Sequence, residues 1–269
     1  MTGSAPAAPT IWMAALAHDL PWVPEISSHR GGALIWPENS PTAFRRSARL
    51  PVASIETDVH LSRDGRIVVH HDATLQRTTT GRGPVRAHSF KALRRRTLRR
   101  TRAERIPTLR EVIALIRRSR RDLRLEIKTD GRKRRYPEIE RKVAAELRRA
   151  RFLKRTVVTS FDWTQLRLFR RHARPKGFVA LVRDTWFKDV GLKGLVDALS
   201  HTPFAEASIP SAFVTHEMVK EAHAQGLKLG AYRVRNEADH LRVLNAQVTT
   251  FTTDRPDIAI RRRREMYGS

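Results

Sequence analysis

A (β/α)8 barrel of the α/β class, with a small insertion after its second barrel strand, is the architecture that the 269-residue sequence predicts. Three observations lead there. Short apolar, β-branched runs alternate along the chain with helix start and stop signals, as a parallel sheet crossed by helices requires. Eight such runs remain once a hairpin's return arm is set aside, the number that closes the barrel. Two of the runs carry charged residues on one face, the pattern of barrel strands that line a site.

Residues 1–24 are read as an N-terminal segment. Ser4 to Pro9 has the composition of a loose terminus, and Ile11 to Ala17 is apolar but too short for a membrane span, with no basic residue before it. The barrel is assigned to residues 25–260. Its first strand, Glu25 to Ser28, runs into His29, Arg30 and two glycines; Ser40 then caps a helix with Pro41 at its first position. Ile55 to Val59 is the second strand. Asp64-Gly65 signals a hairpin into Ile67-Val68-Val69. If these two residues form the loop, Arg63 faces Arg66 and His71 comes opposite Asp58, whereas a slip of one residue would turn it to the other face. Residues 73–105, rich in threonine, glycine and arginine, read as an insertion at the barrel mouth.

Thr108 and Glu111 form a capping box before the amphipathic run Val112 to Ile116. Leu123 to Lys128 is a strand that sets Arg124, Glu126 and Lys128 on one face. A helix follows from about Pro137 to Ala150, then a strand at Thr156 to Ser160 and a helix begun by Asp162. Phe178 to Val182 and Glu206 to Ile209 are further strands. Thr215 opens a helix that ends near Gly226; Leu227 to Val234 is a strand, Asn236 caps the last long helix, and Thr249 to Thr253 is the final strand. Residues 261–269 are left as a basic C-terminal tail.

Lysine and arginine number 53 against 27 acidic residues, a net charge of +26. Such a field attracts anionic ligands and membrane surfaces, although much of the arginine also fits a solvated helix surface. Cysteine is absent, which excludes disulfides and thiol catalysis and fits a reducing cytoplasm. The chain is read as soluble and cytoplasmic, with peripheral contact to an anionic membrane as the one attachment its charge supports. No specific nucleic acid is expected, and the sequence does not fix the oligomeric state.

The chemistry concentrates between Ser27 and Asp72. Glu56 and Asp58 share a strand face, where two carboxylates repel one another, raising one pKa or demanding a cation between them. Oxygen donors suit a hard divalent ion. The hairpin returns His71 to these carboxylates, and His29 ends the first strand beside Arg30, whose planar fork suits phosphate. Two histidines, paired carboxylates and an arginine together point to metal-assisted phosphoryl chemistry. His60 lies further along the Glu56 face and His70 points opposite His71, so both are read as bystanders.

In order and spacing, the motifs His29-Arg30-Gly31, Pro37-Glu38-Asn39-Ser40, Ile55-Glu56-Thr57-Asp58-Val59, Asp64-Gly65, His71-Asp72, Ile106-Pro107-Thr108-Leu109 and Glu126-Ile127-Lys128 resemble those of the glycerophosphodiester phosphodiesterases, with a weaker echo at Thr253-Asp254-Arg255-Pro256. The resemblance implies a TIM barrel that hydrolyses a glycerophosphodiester to glycerol 3-phosphate and an alcohol. It implies His29 and His71 as the acid–base pair, Glu56, Asp58 and Glu126 as ligands of Ca²⁺ or Mg²⁺, and Arg30 and Lys128 on the phosphate. Glu38 would contact the metal or a glycerol hydroxyl, or only order its loop; Tyr232 stands where the family usually has a mouth-wall tryptophan. The rival expectations are a lysophospholipase D acting on membrane lysophospholipids and a noncatalytic basic module that binds nucleic acid or membrane.

Overall fold

The computed structural model describes residues 20–268; the apolar run Ile11 to Ala17 lies outside the described residues. Eight parallel strands close into a barrel: β1 (Glu25–Ser28), β2 (Ser54–Leu61), β4 (Asp122–Ile127), β5 (Thr156–Ser160), β6 (Gly177–Leu181), β7 (Glu206–Pro210), β8 (Lys228–Val234) and β9 (Thr250–Thr253). β3 (Ile67–Val69) pairs antiparallel with β2 on the outside of that circuit. β1 pairs with both β2 and β9, so the first strand is where the barrel shuts. Because both faces of each strand are covered, the strands are buried nearly end to end; all eight residues of β2 are buried.

The helices begin where the capping residues say they should. The Ser40 hydroxyl accepts from the Ala43 amide to open α1 (Pro41–Ser47), and Thr108 and Glu111 form a reciprocal capping box on α3 (Leu109–Ile116). Asp162 caps α5 (Trp163–His172), Thr215 caps α7 (His216–Ala224), and Asn236 with Asp239 makes a second capping box on α8 (Glu237–Asn245). α4 (Ile139–Arg149) starts two residues later than expected, because Glu138 turns into the left-handed region at φ 60°. The inward faces of these helices pack on the strands through residues such as Phe44, Ile113, Leu147, Phe169 and Val243.

Three expectations change. The hairpin loop has three residues, not two: Leu61 pairs with Ile67, the Ser62 amide donates to the Arg66 carbonyl, and Gly65 takes φ 72° to turn the chain back. His70, not His71, is therefore opposite Asp58, its amide donating to the Asp58 carbonyl at 3.1 Å. Residues 182–206 hold a helix that the sequence pattern hid, α6 (Asp184–Ser200), broken at Gly191. The residues read as a basic tail, 261–267, continue α9 (Pro256–Tyr267), which packs Ala259, Ile260 and Met266 on the barrel while Arg261 and Arg262 pair with Glu237. The insertion 73–105 is folded around a small core of its own, with Leu75, Val85, Leu98 and the short α2 (Phe90–Arg94) gathered against Val68 and Ile106. No helix among the described residues is long and apolar enough to cross a membrane.

His240 of α8 is fully buried, donating from Nδ1 to the Asn236 carbonyl while Nε2 accepts from the Thr253 hydroxyl at 2.9 Å. Burial lowers its pKa below the ordinary imidazole value of 6.5. The folded chain thus resists a proton that the unfolded chain accepts near that pH, so this contribution to stability is complete above it and is lost as pH falls below it. An NMR titration should find the His240 ring titrating below the ordinary imidazole value, with the urea midpoint lower at pH 5 than at pH 7.5.

Candidate active site

The C-terminal ends of the barrel strands surround a cavity of about 240 Å³ lined by His29, Arg30, Glu56, His71, Glu126 and Tyr232, with Arg124, Thr159, Phe161 and Leu181 in its walls. Nearly every sequence-predicted residue meets here because of strand alternation and register. Glu56 and Asp58 project from one face of β2, and the parallel ladder sets Asp58 beside Glu126 of β4. Among the described residues, Glu56, Asp58 and Glu126 are the one trio of acidic or histidine side chains whose ligand atoms lie within 4.8 Å of one another, and all three are buried.

Burial pushes the Glu56 carboxyl well above its ordinary pKa, and the neighbouring Asp58 and Glu126 charges add to it. Burial acts on Asp58 in the same sense, but His71, Lys128, Arg30 and His29 outweigh it and hold Asp58 well below the usual carboxylate range. Asp58 Oδ2 accepts from the Asn39 amide at 2.9 Å, whereas Oδ1 is buried without a hydrogen bond, 3.4 Å from Lys128 Nζ. Three buried carboxylates with one orphaned oxygen among them are a donor set that fits a divalent cation.

Arg30 occupies a tight turn, with φ 49°, between β1 and two glycines. Its amide donates to Glu56 Oε2 at 2.9 Å and its Nη1 to Glu38 Oε1 at 3.0 Å, while its buried Nε has no hydrogen-bond partner and stands 3.7 Å from Asp58 Oδ2. Gly31 makes the turn possible: its φ is 80°, and a Cβ there would sit 2.8 Å from Ala43 Cβ in α1. Lys128 Nζ donates to Glu126 Oε1 at 2.8 Å; burial alone would lower its pKa, but Glu126 and Asp58 raise it, so the ammonium stays charged.

Each histidine is hung from a carboxylate by Nδ1, which leaves Nε2 outside that bond. His29 Nδ1 donates to Asp254 Oδ1 in a short contact, with His29 Nε2 3.9 Å from Glu56 Oε2. Burial, then Arg30, lowers the His29 pKa against the opposing pull of Asp254. His71 Nδ1 donates to Asp72 Oδ1 at 2.6 Å, and Arg77 clamps Asp72 and Glu38 together with four bonds of 2.6 to 2.9 Å. The one-residue register shift did not take His71 out of the site, because β3 ends at Val69 and the chain has left the ladder before His71.

The bystander histidines have structural partners. His60 donates from Nε2 to the His71 carbonyl at 3.1 Å and accepts from the Tyr136 hydroxyl at 2.9 Å, and His70 Nε2 donates to the Thr74 carbonyl. Glu38 stands outside the carboxylate trio, bound to Arg30 and Arg77. The Tyr232 hydroxyl donates to the Val182 carbonyl at 2.7 Å, and its ring meets Phe161 edge-on, so the ring alone faces the cavity. The sequence reading missed Asp254 and Arg124. Asp254 appears there only as an echo of a motif, and its partner is 225 residues away. Arg124 shares the Glu126 face of β4 and crosses the barrel to Glu206 at 3.0 Å.

Residues 29–258 match the family model described as the Glycerophosphoryl diester phosphodiesterase family. The chain belongs to that family. A Bacillus altitudinis glycerophosphodiester phosphodiesterase is 32% identical over 249 residues, covering 90% of this chain and 99% of its own. A Caldanaerobacter subterraneus protein of the same name is 31% identical over 241 residues, covering 87% and 96%. A solved structure from Agrobacterium tumefaciens superposes with a TM-score of 0.89 at 27% identity, over 92% of this chain and all of that one; the glycerophosphodiester phosphodiesterase structure from that organism gives 0.71 at 25%, over 88% and 98%. The eight-stranded barrel is thus the TIM barrel of a family of phosphoric diester hydrolases.

Gly31→Ala tests the turn that carries His29 and Arg30. With a positive φ and no room for Cβ, it should cost about 1–3 kcal/mol, read as a fall in Tm of roughly 2–4 °C per kcal/mol for a chain of this size.

Proposed function

We propose that this chain hydrolyses glycerophosphodiesters to glycerol 3-phosphate and an alcohol by histidine acid–base catalysis at a divalent-ion site. The observation that carries the reading is the pair of carboxylate-anchored imidazoles, His29 and His71, lining one cavity with Arg30, Glu56 and Glu126, with Asp58 and Lys128 against those carboxylates. Glu56, Asp58 and Glu126 hold the ion, and their oxygen-only donors select the Ca²⁺ or Mg²⁺ class. When bound, such an ion supplies a Lewis acid that neutralises charge on the phosphoryl oxygens.

The chain's own residues do the rest. Arg30, through its unpartnered Nε, and Lys128 receive the other phosphoryl oxygens, where charge grows as the transition state forms. The Nε2 of one histidine takes the proton from the attacking hydroxyl as the new P–O bond forms. The Nε2 of the other gives a proton to the departing alcohol oxygen as the old P–O bond breaks. The attacking hydroxyl is water, or the substrate's own glycerol hydroxyl with water opening the resulting cyclic diester. Asp254 and Asp72 hold the Nδ1 protons so that each ring presents the nitrogen that exchanges. Glu38 orders the Arg30 loop, and the Tyr232 ring forms part of the wall beside the substrate. The charge of +26 adds attraction between the protein and an anionic membrane surface.

Purified protein should release glycerol 3-phosphate from glycerophosphocholine with Ca²⁺ or Mg²⁺ and lose that activity in excess chelator; chelator-resistant turnover would overturn the metal-dependent mechanism. His29→Ala and His71→Ala should each lower kcat by about 10²- to 10⁴-fold, the usual contribution of a positioned acid or base. Titration calorimetry should detect one divalent ion per chain in the wild type and none in Asp58→Asn, a result independent of turnover.

A further inference from the structure

Beside the cavity that holds the histidines lies a second one, of about 470 Å³, between the loops that follow β4, β5 and β6. The two share Phe161 and Leu181 as a common wall, so the second lies directly beside the first. Its aromatic walls are set: Trp163 meets Trp186 edge-on at 5.5 Å, and Trp163 Nε1 donates to the Leu181 carbonyl at 2.9 Å. Its charged groups are unequal in their ties. Asp162 caps α5 and lies 3.7 Å from Arg135, so its charge is spent on the fold. Lys133 and Arg183 are exposed, and neither has a carboxylate within ion-pair distance among the described residues. Arg183 is nonetheless positioned, its guanidinium stacked 5.0 Å over the Phe161 ring that separates the two cavities.

This contrasts with the first cavity's rim. There Arg233 pairs with Asp184, Arg235 with Asp254 and Arg77 with Glu38 and Asp72, so those cations are already neutralised. Uncompensated positive charge at the mouth therefore stands where a substrate extends away from the scissile phosphate, and a second anion is the chemistry that would recognise it.

We infer that the cavity bounded by Phe161, Trp186, Lys133 and Arg183 is a subsite for a leaving alcohol that carries its own anionic group, so that the preferred substrates are glycerophosphodiesters with a second phosphate. The inference rests on the hydrolase reading above and names the substrate class within it. With the scissile phosphate between the histidines, Lys133 and Arg183 meet the second phosphate and the tryptophan pair covers the carbon chain joining the two. A cationic leaving alcohol such as choline brings positive charge to the same place and is disfavoured.

The test compares kcat/KM for 1,3-bis(glycerophospho)glycerol with that for glycerophosphocholine. Wild type should prefer the doubly anionic substrate by tenfold or more at low ionic strength. The double variant Lys133→Ala, Arg183→Ala should lose most of that preference. Arg149→Ala, Arg171→Ala, which removes the same charge from the far surface of α4 and α5, should keep it. An equal preference in wild type and the Lys133/Arg183 variant, or an equal loss in both double variants, would overturn the subsite, the second result assigning the preference to the overall field. If the wild type cleaves neither compound, the hydrolase reading fails. Calorimetric binding of bis(glycerophospho)glycerol then decides the subsite on its own: binding weakened in the Lys133/Arg183 variant alone supports it, and equal binding rejects it.

Discussion

Like charges held together without water govern this structure. Glu56, Asp58 and Glu126 are forced onto one patch of barrel interior by strand alternation and ladder register, and their repulsion has to be offset. Arg30 and Lys128 supply part of the offset, and both are themselves buried deeply enough that only the carboxylates justify their charge. The turn at Gly31, the Glu38 contact and the Asn39 bond to Asp58 are all means of fixing those cations and oxygens in place. Removing one member would leave the remainder with an uncompensated charge, so the site and the local fold are one construction.

The histidines are built on the same economy of parts. Each ring is oriented by a carboxylate that is oriented in turn by an arginine: Asp254 by Arg235, and Asp72 by Arg77. The Arg77 clamp also ties the start of the 73–105 insertion to the loop after β1 through Glu38, so the insertion is anchored beside His71 instead of hanging from the mouth. Its small core around Leu75 and Val85 gives that anchor a rigid base.

Much of this was legible in the sequence because it follows from local rules. Period-two alternation gave the strands and put Glu56 with Asp58 and Glu126 with Lys128; capping residues such as Ser40, Thr108 and Asn236 marked helix starts closely. What was not legible depended on backbone geometry or on distance along the chain. Asp64-Gly65 suits a two-residue turn as well as the three-residue one that formed, and a single residue decides the register. The two glycines of α6 interrupt its helical periodicity, with Gly191 breaking the helix, and the arginines of α9 masked a short apolar stripe of Ala259, Ile260 and Met266. Asp254 could be assigned to His29 only by knowing that the last strand lies against the first.

That adjacency of β1 and β9 has a bearing on how the protein comes into being. His29 leaves the ribosome early in synthesis, whereas the carboxylate that orients it lies 225 residues further along the chain. Once Glu126 has been made, the residues of the carboxylate trio and the His71–Asp72 pair are all present in the chain, but the partner of His29 is not. The His29 half of the site is thus completed only by the closure of the ring between β1 and β9, and a product truncated before Asp254 would carry that histidine without the carboxylate that orients it.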